Sequence, residues 1–197
     1  MKRTWIFLTV GFILLAAAAC GGGNGTGGDD VTPTPPAAEP AKPGAATGSF
    51  FAINEVGLGP EGYVALTNFT DVPASLGGLY LCQGPDCFAL PDVSVGAGET
   101  ARIAVSDGVG QEGVVATQAT LGELRPYDGE IALVASPEPD DAKAMLVYFQ
   151  WGSSPHARTQ TAVDAGLWVE GGYGPSSESA TRLFKVPESG LWLFEEP

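Results

Sequence analysis

Three thiols, one histidine and a scatter of carboxylates are the most reactive groups in this 197-residue chain. Cys82 and Cys87 flank Gln83-Gly84-Pro85-Asp86, with Leu79-Tyr80-Leu81 before and Phe88-Ala89-Leu90 after. Apolar and aromatic residues on both sides of a Gly-Pro-Asp turn signal read as a β-hairpin whose two thiols face each other across the loop. In an oxidising compartment such thiols pair. Closing so small a loop stabilises a fold by roughly 2 kcal/mol through loop-closure entropy. Metal binding needs more donors than one histidine and two cysteines, so a structural disulfide is expected, with no metal and no cofactor.

Acyl-transfer chemistry would have to use His156, with Ser153 or Ser154 as nucleophile and Asp164 as the orienting acid. Such triads assemble in space, so spacing leaves the possibility open. Gly152-Ser153-Ser154-Pro155-His156 nevertheless reads as a polar loop leaving a strand, without the Gly-x-Ser-x-Gly elbow. Glycosidic hydrolysis needs two carboxylates across a cleft, whereas Asp140-Asp141 lie in a Pro-rich turn and Glu195-Glu196 near the end of the chain. Calcium at Asp128, Asp140 or Asp141 would lack the alternating oxygen ligands of an EF-hand loop. No catalytic constellation emerges. Trp151, Trp168, Tyr173 and Trp192 are the candidate ligand-binding residues, all in the glycine-rich C-terminal part. Exposed, they could stack on sugar rings or anchor a protein partner; buried, they would close the open end of a core.

The remaining thiol, Cys20, sits in a different context. Met1-Lys2-Arg3 precedes an uncharged run from Trp5 to Ala19, the basic and apolar regions of an export signal. Its fifteen residues would reach roughly 22 Å as a helix, short of a ~30 Å hydrocarbon core. Leu15-Ala16-Ala17-Ala18-Ala19-Cys20, followed by Gly21-Gly22-Gly23, resembles the lipobox of bacterial lipoproteins. That resemblance implies cleavage after Ala19, lipid on the Cys20 thiol and anchoring at the cell membrane or outer membrane, facing away from the cytoplasm. Ala17 stands where leucine is usual, and an ordinary secretory signal ending in Ala-x-Ala is the alternative.

Residues 20–48 then form a tether, with thirteen Gly or Pro among the twenty-eight residues from Gly21 to Gly48. Such a segment buries too little apolar surface to fold, and spans roughly 30 Å coiled or ~85 Å as polyproline II. The whole chain has a net charge of −14; without Lys2 and Arg3 the balance is 7 − 23 = −16. An acidic surface of this kind excludes nucleic acid and anionic lipid headgroups as general partners. The expected partners are the membrane, through Cys20, and an envelope protein or glycan.

The folded part, residues 49–197, is long enough for one core. Strand signals recur at Phe50–Val56, Tyr63–Asn68, Leu79–Cys82, Cys87–Leu90, Thr100–Val105, Glu130–Val134 and Ala144–Trp151, separated by Gly- and Pro-rich turns. Seven such strands predict an all-β antiparallel sandwich or barrel. From about residue 153 glycines interrupt the pattern, giving an irregular C-terminal extension with short helices over Thr159–Ala165 and Ser177–Leu183 and a last strand over Leu191–Phe194.

The order of segments resembles the lamin-tail domain family. Phe51-Ala52-Ile53-Asn54-Glu55-Val56 is similar to that family's opening Ile-Asn-Glu-Val strand, and Gly62-Tyr63-Val64-Ala65-Leu66-Thr67-Asn68 to its Glu-Trp-Ile-Glu-Leu-x-Asn strand. Asp71 to Leu81, Val95 to Thr100, Asp128 to Leu133 and Val147 to Gly152 follow in the family's order. Tyr63 replaces a common tryptophan, and Gly62 and Ala65 replace two glutamates. The resemblance, over about Phe50 to Gly152, implies an immunoglobulin-like sandwich without activity of its own: a non-catalytic binding or scaffolding module. The competing expectation is a carbohydrate-binding or hydrolytic domain using the C-terminal aromatics and carboxylates.

Overall fold

Alternation of apolar and polar residues sets most of the strands. The computed structural model describes residues 49–105, 114–115, 121–136, 138 and 141–197; the signal, Cys20, the tether and Asp140 lie outside the described residues. The elements are β1 (Phe51–Gly57), β2 (Tyr63–Asn68), β3 (Ala74–Ser75), β4 (Tyr80–Gln83), β5 (Asp86–Ala89), β6 (Ser94–Val95), β7 (Thr100–Ala104), β8 (Val114–Val115), β9 (Gly129–Val134), β10 (Met145–Trp151), α1 (Thr159–Asp164), β11 (Arg182–Lys185) and β12 (Trp192–Glu195). The seven strands expected from the sequence are β1, β2, β4, β5, β7, β9 and β10, with ends displaced by no more than one residue.

The protein is an all-β sandwich. A six-stranded sheet has the order β12-β11-β1-β2-β7-β8 and a four-stranded sheet the order β10-β9-β4-β5, with β3 and β6 paired separately. Every pairing is antiparallel except β7 with β8. The core lies between the sheets. Ile53, Val56, Val64, Leu66, Ile103 and Leu183 come from the first, and Leu81, Ile131, Leu133, Phe149 and Trp151 from the second. Burying side chains of this size supplies about 1.5–3 kcal/mol each.

β9 is buried along its whole length, because its second face is also covered. Ala132 and Val134 join Cys82, Met145 and Tyr148 in a smaller cluster closed by Ala162 of α1 and by Leu167. A strand with two covered faces reads as a continuous apolar run, which Ile131-Ala132-Leu133-Val134 is. The β4–β5 hairpin turns through Gly84-Pro85, where Gly84 has the positive φ of 55° that the first central position of a type II′ turn requires. Cys82 and Cys87 are directly opposed in that hairpin and form a disulfide.

The chain beyond residue 153 carries α1, β11 and β12, and β11 pairs with β1 through Glu55↔Phe184, Val56↔Leu183 and Gly57↔Arg182. The helix expected over Ser177–Leu183 is a correction: Arg182 and Leu183 begin β11, and Leu183 is fully buried against the first sheet's inner face. A ladder partner and a core position override a weak local helix signal. No helix among the described residues is long and apolar enough to cross a membrane.

Candidate functional site

A groove of about 370 Å³ runs along β10, the edge strand of the four-stranded sheet, where it meets β1 and β12. Its centre is Phe149. The Trp192 indole lies parallel to that ring with centroids 3.8 Å apart, and Trp168 meets it edge-on at 6.1 Å. Trp168 also meets Tyr148 edge-on at 5.5 Å. Parallel and T-shaped contacts of this kind contribute about 0.5–1.5 kcal/mol beyond area burial.

Local structure explains the placement of both tryptophans. After α1 the chain reverses at Gly166, whose φ is 71°, while the amides of Leu167 and Trp168 both donate to the Ala162 carbonyl. Leu167 turns into the smaller core and Trp168 into the groove, where its Nε1 donates to the Gly172 carbonyl at 2.8 Å. Trp192 starts β12 and is held opposite Lys185 by the β11–β12 ladder. That hairpin closes at Gly190, φ 69°, whose amide donates to the Val186 carbonyl.

The four aromatics singled out in the sequence therefore divide. Trp168 and Trp192 come together in the groove, both half-buried. Trp151 belongs to the core instead: it is 0% exposed and its Nε1 donates to the Arg125 carbonyl at 2.9 Å. Tyr173 is half-buried and does not line the groove. Phe149 and Tyr148, which complete the groove, went unnoticed in the sequence, although Tyr148-Phe149-Gln150-Trp151 on one strand was a signal that aromatics occur on both of its faces.

The groups considered for catalysis are arranged differently. His156 Nδ1 lies 3.1 Å from Gln150 Oε1, and its Nε2 faces Asp128 Oδ1 at 3.4 Å. Asp164 accepts from Gln160 Nε2 at 2.8 Å, and Ser153 and Ser154 are exposed. Asp128 and Gln150, not Asp164 and a serine, are thus the neighbours of the histidine.

Beneath α1 lies a buried polar knot that sequence reasoning missed. Glu130 and Arg158 are each 1% exposed. Glu130 Oε2 accepts from the Tyr148 hydroxyl at 2.8 Å and from the Arg158 amide at 3.2 Å. Arg158 Nη1 stands 3.8 Å from Glu130 Oε1, and its Nη2 lies 3.2 Å from Cys87 Sγ. Gln150 and Thr159 complete the network around the Tyr148 hydroxyl. Burial above all pushes the Tyr148 phenol well above its ordinary range, against the opposing Thr159 hydrogen bond and with help from the Glu130 charge. The one hint was a glutamate at the head of an apolar strand, Gly129-Glu130-Ile131-Ala132-Leu133-Val134.

The groove and the knot have different chemistries. Among its described lining residues the groove holds no carboxylate, histidine or thiol; Lys185 and Ser189 supply its polar side chains, while the Tyr148 hydroxyl is engaged in the knot. It offers ring faces and apolar contact. The knot is sealed from solvent: Glu130 Oε2 accepts two hydrogen bonds, while Glu130 Oε1 accepts none among the described residues and faces Arg158 as a 3.8 Å charge pair. No group of three or more histidine, cysteine or acidic residues fit to hold a metal occurs among the described residues. Fold and groove together define a disulfide-bearing β-sandwich with an aromatic-lined groove. No protein-family model matches the chain, and no curated protein matches it either.

Proposed function

We propose that this chain is a lipid-anchored module of the cell envelope, displaying a non-catalytic, lamin-tail-like sandwich of immunoglobulin type on a tether attached through Cys20. The Cys82–Cys87 bond carries this reading, because paired thiols persist in oxidising compartments and are rare in the cytosol. The apolar leader ending at Cys20 supports it from the sequence. The module works by contact. Trp168 and Trp192 around Phe149 form the surface that takes an envelope protein or a glycan. A carbohydrate ligand is the second reading, favoured by two half-buried indoles on one groove, a surface suited to the faces of sugar rings.

Cells fed radiolabelled palmitate test the anchor. Label is expected on the full chain and is expected to vanish in Cys20→Ser; an unlabelled full chain refutes the placement. A glycan array and a hydrolase screen on the detergent-solubilised full chain test the contact reading. Turnover of any substrate that is abolished by substitutions in this chain overturns it.

A further inference from the structure

The outer face of the six-stranded sheet carries a second, larger groove of about 680 Å³, opposite in character to the aromatic one. A bulge in β1 between Ile53 and Glu55 turns Asn54 and Glu55 both toward this face, breaking the alternation that would bury one of them. In a chain with a net charge of −14, the groove collects Arg102, Arg182 and Lys185, which are three of the six basic residues described, against the single carboxylate of Glu55.

The cations are held in place before any ligand arrives. Glu55 sits between the two guanidiniums, with Oε1 3.4 Å from Arg102 Nη2 and Oε2 3.3 Å from Arg182 Nη1. The Tyr63 hydroxyl also donates to Glu55, and Glu195 binds the far side of Arg182. Each guanidinium lies against a ring, Arg102 at 5.1 Å from the Tyr63 centroid and Arg182 at 5.2 Å from that of Phe184. Arg102 remains 49% exposed and Arg182 35%, so both still offer donors outward. Lys185 makes no ion pair with the described residues and is exposed where the polar groove meets the aromatic one. A Debye length of about 8 Å at physiological salt screens the distant acids, and close at hand the three cations stand against the carboxylates of Glu55 and Glu195, leaving an excess of one positive charge among these five groups.

The rest of the floor is neutral and polar. Asn54 Nδ2 donates to Thr67 Oγ1 at 2.8 Å, and the Thr67 and Thr100 hydroxyls are hydrogen-bonded to each other at 2.7 Å. An added peptide strand would need a free ladder edge. This groove lies on the face of β1 and β2, whose backbones are paired on both sides. Hydroxyls and amides flanked by planar guanidiniums match a ligand that alternates hydroxyl groups with carboxylates or sulfates.

We propose that this face is a binding groove for an acidic sugar chain, with Arg102, Arg182 and Lys185 on its anionic groups and the Asn54-Thr67-Thr100 row on its hydroxyls. The site adjoins the aromatic groove and shares Lys185 with it, but stands whether or not that groove binds anything.

The test is isothermal titration of the full chain in a polyoxyethylene detergent with hexasaccharides of uronate or sulfated type, their uncharged counterparts and hexaglutamate. At least one charged hexasaccharide is expected to bind ten or more times tighter than its uncharged counterpart, with affinity falling several-fold between 50 and 300 mM salt. Arg102→Gln and Lys185→Gln are each expected to weaken it on the order of tenfold, the loss of one charge-assisted contact. Their circular dichroism should be unchanged, while Trp168→Ala should leave this binding within about twofold. The assignment is overturned if no charged hexasaccharide binds, if the uncharged ones bind equally, or if Arg102→Gln and Lys185→Gln leave affinity intact. Equal binding of hexaglutamate overturns the sugar. Loss on Trp168→Ala with retention in Arg102→Gln assigns the ligand to the aromatic groove instead.

Discussion

Replacing Arg158 by methionine keeps most of the side-chain volume but removes the cation opposite Glu130. Both residues are 1% exposed, so water does not reach the carboxylate that is left behind. Two hydrogen bonds survive, from the Tyr148 hydroxyl and from the residue 158 amide. What disappears includes the 3.8 Å charge pair and the contact with Cys87 Sγ. Breaking one half of a buried pair typically costs about 3–5 kcal/mol, and the surviving bonds place the expected loss near 3 kcal/mol. For a domain whose whole stability is about 5–15 kcal/mol this is a large fraction. The double variant Glu130→Gln with Arg158→Met removes both charges and leaves an amide that can still accept from Tyr148. Replacing a complete buried pair is often close to neutral, so the double variant should recover most of the loss. Urea unfolding of the full chain, followed by tryptophan fluorescence, reads the difference. With a slope of about 2 kcal/mol/M the Arg158→Met midpoint should fall by roughly 1.5 M. A single variant losing less than about 1 kcal/mol, or a double variant no more stable than Arg158→Met, refutes the claim that these charges exist for one another.

Three further outcomes are expected. Reduction of the full chain should raise its intact mass by two hydrogen atoms and lower stability by roughly 2 kcal/mol, the entropy of opening the small Cys82–Cys87 loop; an unchanged mass counts against the bond. Trp151→Ala should destabilise the fold by about 3–5 kcal/mol because its indole is wholly enclosed, whereas Trp168→Ala should cost clearly less; the opposite order in urea midpoints would reverse their assignment as core and groove. Burial first, then the Glu55 hydrogen bond and charge, hold the Tyr63 phenol up to about 12. The folded state thus keeps a proton that the unfolded chain releases near pH 10, and the stability this gives is present below pH 10 and lost as pH rises toward 12. The difference between wild-type and Tyr63→Phe absorbance titrations at 295 nm should show a midpoint near 12, and one near 10 would contradict the burial of the phenol together with its Glu55 contact.

The strands were legible where one face is buried and the other wet. In β7, Ile103 is buried while Thr100 and Arg102 face out, so the alternation survives in the letters. The cysteines were legible because Gly84-Pro85 between them is a turn in its own right. β11 was not, since its four residues are short of a strand signal and are placed between β12 and β1, the latter more than a hundred positions earlier. The two sites were half legible. Trp168 and Trp192 could be named as large rings in a glycine-rich region, but which of the four aromatics were core depended on how the chain folds back after Gly166. The polar knot and the outer groove draw on residues far apart in sequence: Glu130 meets Arg158, and Glu55 meets Arg182 across 127 positions. Composition records how many charges a chain has; only topology says which ones meet.

The place of β1 matters for mechanical load. The described chain enters the sandwich at Ser49, directly before β1, which is an inner strand clasped by β2 along six registered positions and by β11 along three. A pull on the residues ahead of Ser49 is therefore borne first by the β2 ladder, which begins at Phe51, and reaches the β11 ladder only at Glu55, Val56 and Gly57. The second of those ladders is made by nearly the last residues of this sequence. Removing β11 should therefore leave β1 held by β2 alone and lower the force needed to strip it from the sheet.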